Sequence, residues 1–210
     1  MFKTKIVSLF LLPAVAAYSL AAGFVYGEAG KPLFDVEALK ATAILSFACA
    51  LIQDLLPRSF KEALVFWRLR NRLPGHRAFV KAKSDRYDLE RVTNYQVLAS
   101  LSGDHQQRLF YQIYKKHREE PTVAHCNFRY CAWRDTASLF FCMAAATIPL
   151  AYAISEASDR SFEWRPAITL TGGAALAYLL TAVAARQVAN TLVGQVLSCE
   201  TAEPPHAIAH

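Results

Sequence analysis

The chain has no catalytic signature. It lacks a P-loop, a G-x-S-x-G nucleophile turn, an H-E-x-x-H pair and a kinase set, which excludes the motif-bearing nucleotide hydrolases, esterases, zinc proteases and kinases. His76, His105 and His117 have no nucleophile beside them in sequence, so an enzyme is not expected. Cysteine is sparse and odd in number: Cys49, Cys126, Cys131, Cys142 and Cys199. Without framework spacing they exclude a secreted disulfide scaffold and fit reduced thiols. His125, Cys126 and Cys131 resemble metal ligands, but they form no C-x2-C pair and have no fourth partner; thiols buried on a helix are the simpler reading, and neither a metal nor a cofactor is expected. Period-two alternation and internal repeats are also missing, which excludes sheets and solenoids.

Charge is missing where it matters most. Of the apolar stretches Ile6–Tyr26, Ala41–Gln53, Thr136–Ser155 and Ala167–Ala185, the first, third and fourth hold no charged side chain. Each of those three is long enough for a helix to cross about 30 Å of hydrocarbon. The first follows Lys3 and Lys5 and contains Pro13. It reads as a retained helix; the alternative is a signal peptide cut near Ser19-Leu20-Ala21. The second is short, and reaches the lower limit of a span only with Lys40 snorkelling and Asp54-Leu55-Leu56 added. The fourth is rich in Ala, Gly and Thr, with Gly172-Gly173 inside it. Small residues let backbones approach, so it is the candidate packing or oligomer interface.

The missing charge is concentrated between the second and third stretches. Arg58–Asp135 holds 16 Lys/Arg against 8 Asp/Glu, a local excess of +8 in a chain whose formal net charge is +6. Lys3, Lys5, Arg58, Lys61, Arg129, Arg134 and Arg186 flank the spans on one side, which orients both termini and the basic segment toward the cytosol. The expected architecture is therefore all-α. It is a polytopic membrane protein with a transmembrane hairpin over 1–57, a basic helical cytosolic domain over 58–135, a second hairpin over 136–186 and a cytosolic tail over 187–210. In the basic segment, Ser59 and Glu62 form a candidate capping box for a helix over 59–73 with Phe60, Leu64 and Trp67 as its apolar stripe. A second helix is expected to start at Asp85 and a third to span 105–119. A fourth, from about Val123, is expected to run into span three. Val188, Leu192, Val193 and Val196 could extend span four as an amphipathic helix, and Pro204-Pro205 marks a frayed end.

Cations and aromatics alternate in this segment. Trp67, Arg68, Arg70 and Arg72 are followed by His76 and Arg77. Arginine forks match phosphate oxygens and aromatic faces stack bases, so these residues are candidate ligands for a phosphorylated molecule. Lys115, Lys116 and Arg118, beside Tyr111 and Tyr114, form a second patch that could complete the pocket. The same run also fits a juxtamembrane helix whose arginines grip anionic headgroups. Gln53 and Asp54 sit at the expected cytosolic end of span two, and Thr171, Tyr178 and Thr181 lie on span four. Together they are candidate pore residues. Pairing of Asp54 with Arg58 and helix packing through the hydroxyls are the alternatives.

This layout, with paired spans around the basic, aromatic-rich Arg58–Asp135, resembles the small transmembrane effectors of bacterial anti-phage systems. The ion-channel effector of Hailong-type systems is one such effector, and effectors of cyclic-oligonucleotide systems are a wider comparison. The resemblance implies a homo-oligomeric channel in the bacterial inner membrane. It also implies a nucleotide or short single-stranded oligonucleotide signal, and a partner nucleotidyltransferase that makes it. A non-conducting membrane scaffold, or an accessory subunit whose basic domain docks a cytosolic partner or anionic lipid, is the other reading.

Overall fold

The computed structural model describes residues 44, 48–49, 51–52, 54–68, 70–81, 95–157 and 161–202. The first apolar stretch, most of the second, Gln53, the first part of the helix expected from Asp85 and the Pro204-Pro205 end lie outside the described residues, whereas the later part of that expected helix is helical over Tyr95–Ser100. Among the described residues the protein is helical and has no strand. We number the helices α1 (Arg58–Phe66), α2 (Ala78–Lys81), α3 (Tyr95–Ser100), α4 (Gly103–His117), α5 (Pro121–Ala157) and α6 (Trp164–Ala202). A 3-10 turn, Pro74–Arg77, precedes α2. The chain divides into two compact units, one of Met1–Val65 with Cys131–Ala184 and one of Phe66–Tyr130 with Ala185–His210.

In the first unit, α1 starts at Arg58, not at a Ser59 cap. The Pro57 carbonyl accepts the amides of Phe60 and Lys61 at 2.9 and 3.2 Å, so Ser59 already lies inside the helix. Glu62 is used differently from the expected capping box: its carboxylate takes the Arg58 guanidinium at 2.7 Å. The inward face carries Lys61, Glu62 and Val65, whereas Phe60 and Trp67 of the expected stripe are 40% and 54% exposed. Burying those charges is tolerable because they are paired. Lys61 lies 3.6 Å from Asp135, which also holds Arg134 at 2.9 Å. Phe60 keeps an edge contact with Phe141, which in turn meets Tyr178.

Among the described residues, the core of this unit gathers Cys49, Leu139, Met143 and Ala174, with Phe140 and Cys142 packed against it. Much apolar surface stays outside it. Ile168, Leu176, Leu179 and Leu180 are exposed on α6, as are Leu150 and Tyr152 on α5. Pro121–Ala153 and Trp164–Ala202 are both long and apolar enough to cross a membrane, and only 33% and 28% of their apolar windows is buried within the protein. A core helix of a water-soluble fold would bury most of that surface.

The second unit has its own core among the described residues. Ala78, Phe79, Phe110 and Val123 pack with Leu192, Val193, Val196 and Leu197. The 3-10 turn approaches α4 closely because Gly75 has no side chain: a Cβ there would come within 2.7 Å of the Phe110 ring. The Gln106 amide ties α3 to α4 by donating to the carbonyls of Ala99 and Leu101 at 3.2 and 2.9 Å. α4 therefore begins at Gly103 and ends at His117, two residues earlier at each end than the expected 105–119. Pro121 then opens α5, a position where its missing amide costs nothing. The expected continuation of α5 through span three holds, and α6 extends past Ala185 to Ala202.

Candidate phosphate-binding loop

The helix expected over 59–73 stops at Phe66. Trp67 and Asn71 have φ of 51° and 49°, left-handed values that no α-helix accommodates. The arginine-rich run is therefore a loop, and its two ends are fixed by packing within the second unit. At one end the Arg186 guanidinium lies over the Trp67 ring, 3.6 Å from its centre. At the other end, the Asn71 side chain and the His76 carbonyl both approach Gly103, where a Cβ would meet them at 3.1 and 3.4 Å. His76 is held further by its Nδ1 at 3.2 Å from the Leu73 carbonyl and its Nε2 at 3.4 Å from Asp104.

The sequence-derived ligand residues fall into two groups. Trp67, Arg68, Arg70, Arg72, His76 and Arg77 lie on the loop and the 3-10 turn. Arg68, Arg70 and Arg77 are exposed, and among the described residues none of the three has an acidic partner. Arg72 is half-buried. Lys115, Lys116 and Arg118 sit at the far end of α4 and are occupied there. Lys116 pairs with Glu200 at 3.2 Å and Arg118 with Glu119 at 3.3 Å, and Lys115 stands 5.1 Å over the Tyr111 ring. Glu200 also takes the buried His117 at 2.6 Å. From Asp104 to Lys116 along α4 is about 18 Å at 1.5 Å per residue. The Lys115–Arg118 patch therefore stands at the opposite end of α4 from Gly103 and Asp104, where Asn71 and His76 are held.

The candidate pore residues are placed as follows. Gln53 lies outside the described residues, and Asp54 is exposed and helical. The three candidate hydroxyls on α6 are spent within the first unit. Thr171 donates to the Ala167 carbonyl at 2.8 Å, and Thr181 donates to those of Ala177 and Tyr178 at 2.7 and 3.0 Å. The Tyr178 hydroxyl donates to the Leu64 carbonyl at 2.8 Å, satisfying one of the last acceptors of α1. Among the described residues, no group of three or more His, Cys, Asp or Glu is arranged to hold a metal. His125 is exposed on α5, with Cys126 and Cys131 half-buried on the same helix.

Sequence reasoning missed four contributors: Arg186, Asn71, Asp104 and Glu200. Arg186 was visible only as a flanking cation, and no local pattern joins it to Trp67. Glu200 lies 84 residues from Lys116. Asn71 did carry a usable signal, since Asn tolerates left-handed backbone better than most residues. No family model matches the chain, and neither a curated protein nor a solved structure is similar to it.

Proposed function

We propose that this protein is a homo-oligomeric membrane effector whose basic cytosolic domain senses a phosphorylated ligand and gates an ion path, in bacterial anti-phage defence. The observation that carries this reading is the conjunction of exposed Arg68, Arg70 and Arg77, which have no acidic partner among the described residues, with two long helices whose apolar windows are mostly unburied. Lipid is the solvent that suits such windows, and phosphate is the anion that suits such arginines. In this reading two further spans precede Pro57 and the basic segment lies between the hairpins, in the cytosol of the inner-membrane cell. A nucleotidyltransferase supplies the signal. Gly172 and Gly173, both exposed with open space around them, let a neighbouring subunit's helix approach. Ligand shifts the channel only as far as it prefers the open arrangement.

The test is conductance of the purified protein in liposomes, with and without nucleoside phosphates. Ligand-dependent current supports the channel. Silence under every ligand and voltage, with the protein verified in the bilayer, removes it.

One observation favours a second reading, a non-conducting scaffold that grips anionic lipid or a cytosolic partner. Thr171, Tyr178 and Thr181 spend their hydroxyls on carbonyls of their own unit, so they offer an ion little in exchange for its water. Retention of the protein on anionic vesicles without current is the result this reading expects.

A further inference from the structure

We infer that a phospholipid bilayer meets this protein at an aromatic rim built by Tyr152, Phe162 and Trp164, and that its hydrocarbon ends at an opposite, ionic rim near Lys61 and Asp135. This rests on the reading that α5 and α6 cross a membrane, and it names the side chains that fix their depth in it.

Neither helix can lie wholly in lipid. α5 has 37 residues and α6 has 39. At 1.5 Å per residue they are about 55 and 58 Å long, against about 30 Å of hydrocarbon. Composition narrows the choice. Thr136–Ser155 and Ala167–Ala184 hold no charged side chain, and both stretches belong to the first unit. Exposed aliphatic residues gather on them: Leu150 on α5, and Ile168, Leu176, Leu179, Leu180 and Val183 on α6.

The rim at the α5–α6 connection carries the argument. Phe162 packs against both Tyr152 and Trp164, with ring centres 5.7 and 4.6 Å apart. The cluster ties the end of α5 to the start of α6. Tyr152 and Trp164 nevertheless stay 54% and 59% exposed. Among the described residues, neither the Tyr152 hydroxyl nor the Trp164 indole N–H has a hydrogen-bond partner. Such rings favour the level of the lipid carbonyls, where the apolar body meets acyl chains and the polar tip meets an acceptor. The order of residue types is that of a bilayer surface. Leu150 and Ile168 lie on the apolar side, the rings come next, and Glu156 and Glu163 lie beyond them, exposed. Arg165 sits at the level of the rings, where its long stem lets the guanidinium reach headgroups.

The opposite rim sets the thickness. Lys61 and Glu62 of α1 are buried, and Asp135 of α5 takes both Lys61 at 3.6 Å and Arg134 at 2.9 Å. Arg58, paired with Glu62 at 2.7 Å, keeps its side chain 72% exposed. An exposed guanidinium needs water or headgroups, so hydrocarbon ends within its reach. From Asp135 to Tyr152 along α5 is about 26 Å, close to the thickness of a bilayer core. Two independent markers, one aromatic and one ionic, therefore stand one hydrocarbon thickness apart.

The experiment uses the full chain in liposomes. It reads the depth of single tryptophans by quenching with phospholipids brominated either near the headgroup or near the chain end. Trp67→Phe with Trp133→Phe leaves Trp164 as the reporter. Its quenching is expected to be at least about two-fold stronger with the shallow label than with the deep one, as a ring at carbonyl level requires. With Trp164→Phe added, Tyr152→Trp should give the same shallow profile from α5. In that background Ala145→Trp, exposed on α5 and about 10 Å along the helix from Tyr152, should reverse it. Circular dichroism identifies any variant that fails to fold. The difference in emission between the parent protein and Trp164→Phe alone then supplies the Trp164 profile.

Stronger quenching of Trp164 by the deep label would sink the rim into hydrocarbon and overturn the inference. Full quenching by aqueous acrylamide with none by lipid would place the rings in water and do the same. Resistance to both quenchers, relieved when dilution in detergent separates subunits, would show that a second copy covers the rings, and would also overturn it. Extraction of the protein from liposomes by carbonate would remove the membrane reading itself, and this inference with it. A shallow Trp164 without ligand-gated current would remove the channel and leave this inference standing.

Discussion

The two halves of α6 differ in composition and in use: Ala167–Ala184 holds no charged side chain, whereas the stretch beyond Ala185 carries Arg186, Gln187, Asn190, Gln195 and Glu200 among its apolar residues. From Trp164 to Ala184 the helix turns Ile168, Leu176, Leu179, Leu180 and Val183 outward. Beyond Ala185 it turns Leu192, Val193, Val196 and Leu197 into a core with Phe79 and Phe110. Polarity pattern separates them: the second half is amphipathic, with Gln187, Asn190 and Thr191 exposed and its aliphatic residues buried, whereas the first half exposes aliphatic residues. Among the described residues, the second half meets Phe79, Phe110 and Val123, and the first meets Leu139, Met143 and Phe141.

Four substitutions on this helix test the contrast. Leu197→Ala should cost about 2–5 kcal/mol in the second unit by denaturant melt in detergent, the usual toll of a buried leucine. Leu180→Ala should change stability by less than about 0.5 kcal/mol; a matching loss at both positions would erase the distinction. Leu180→Lys should weaken membrane insertion by about 2.5–3.5 kcal/mol, measured by carbonate extraction or a glycosylation-based insertion assay. Thr191→Lys, exposed on the second half, should be neutral in the same assay. If Leu180→Lys is also neutral, the exposed face meets water.

Two polar contacts sharpen the picture further. Glu200→Gln removes the charge that holds Lys116 and the buried His117, and should destabilise the second unit by about 1–3 kcal/mol. Raised salt should narrow the gap between this variant and the parent protein only partly, since His117 is shielded from solvent. Tyr178→Phe, which removes one hydrogen bond to the Leu64 carbonyl, should cost about 1 kcal/mol in the first unit. An unchanged melting curve would mean that water replaces the hydroxyl.

Much of this fold was legible because long helices announce themselves through composition. α5 and α6 emerge from runs without charge, and α4 from Leu109, Phe110, Ile113 and Tyr114 at helical spacing. The break at Trp67 was not legible. Arginine and leucine favour a helix through residue 73, and local preference lost to tertiary contacts: the indole on Arg186 and Asn71 on Gly103. The site followed the same rule. Its arginines could be picked out by type and clustering. Their separation from the Lys115–Arg118 patch could not, because the acid that occupies Lys116 comes from the other end of the chain.

The second unit's core joins residues 78–123 to residues 192–197. A ribosome delivers the first group well before the last. Until α6 has fully emerged, Phe79 and Phe110 have no Leu192, Val193, Val196 or Leu197 to close over them, and the nascent arginine-bearing segment waits with an unfinished interior. The second unit therefore closes only once α6 has been made, and a chain cut short near residue 185 would leave Trp67 without Arg186 and Phe79 without its core partners.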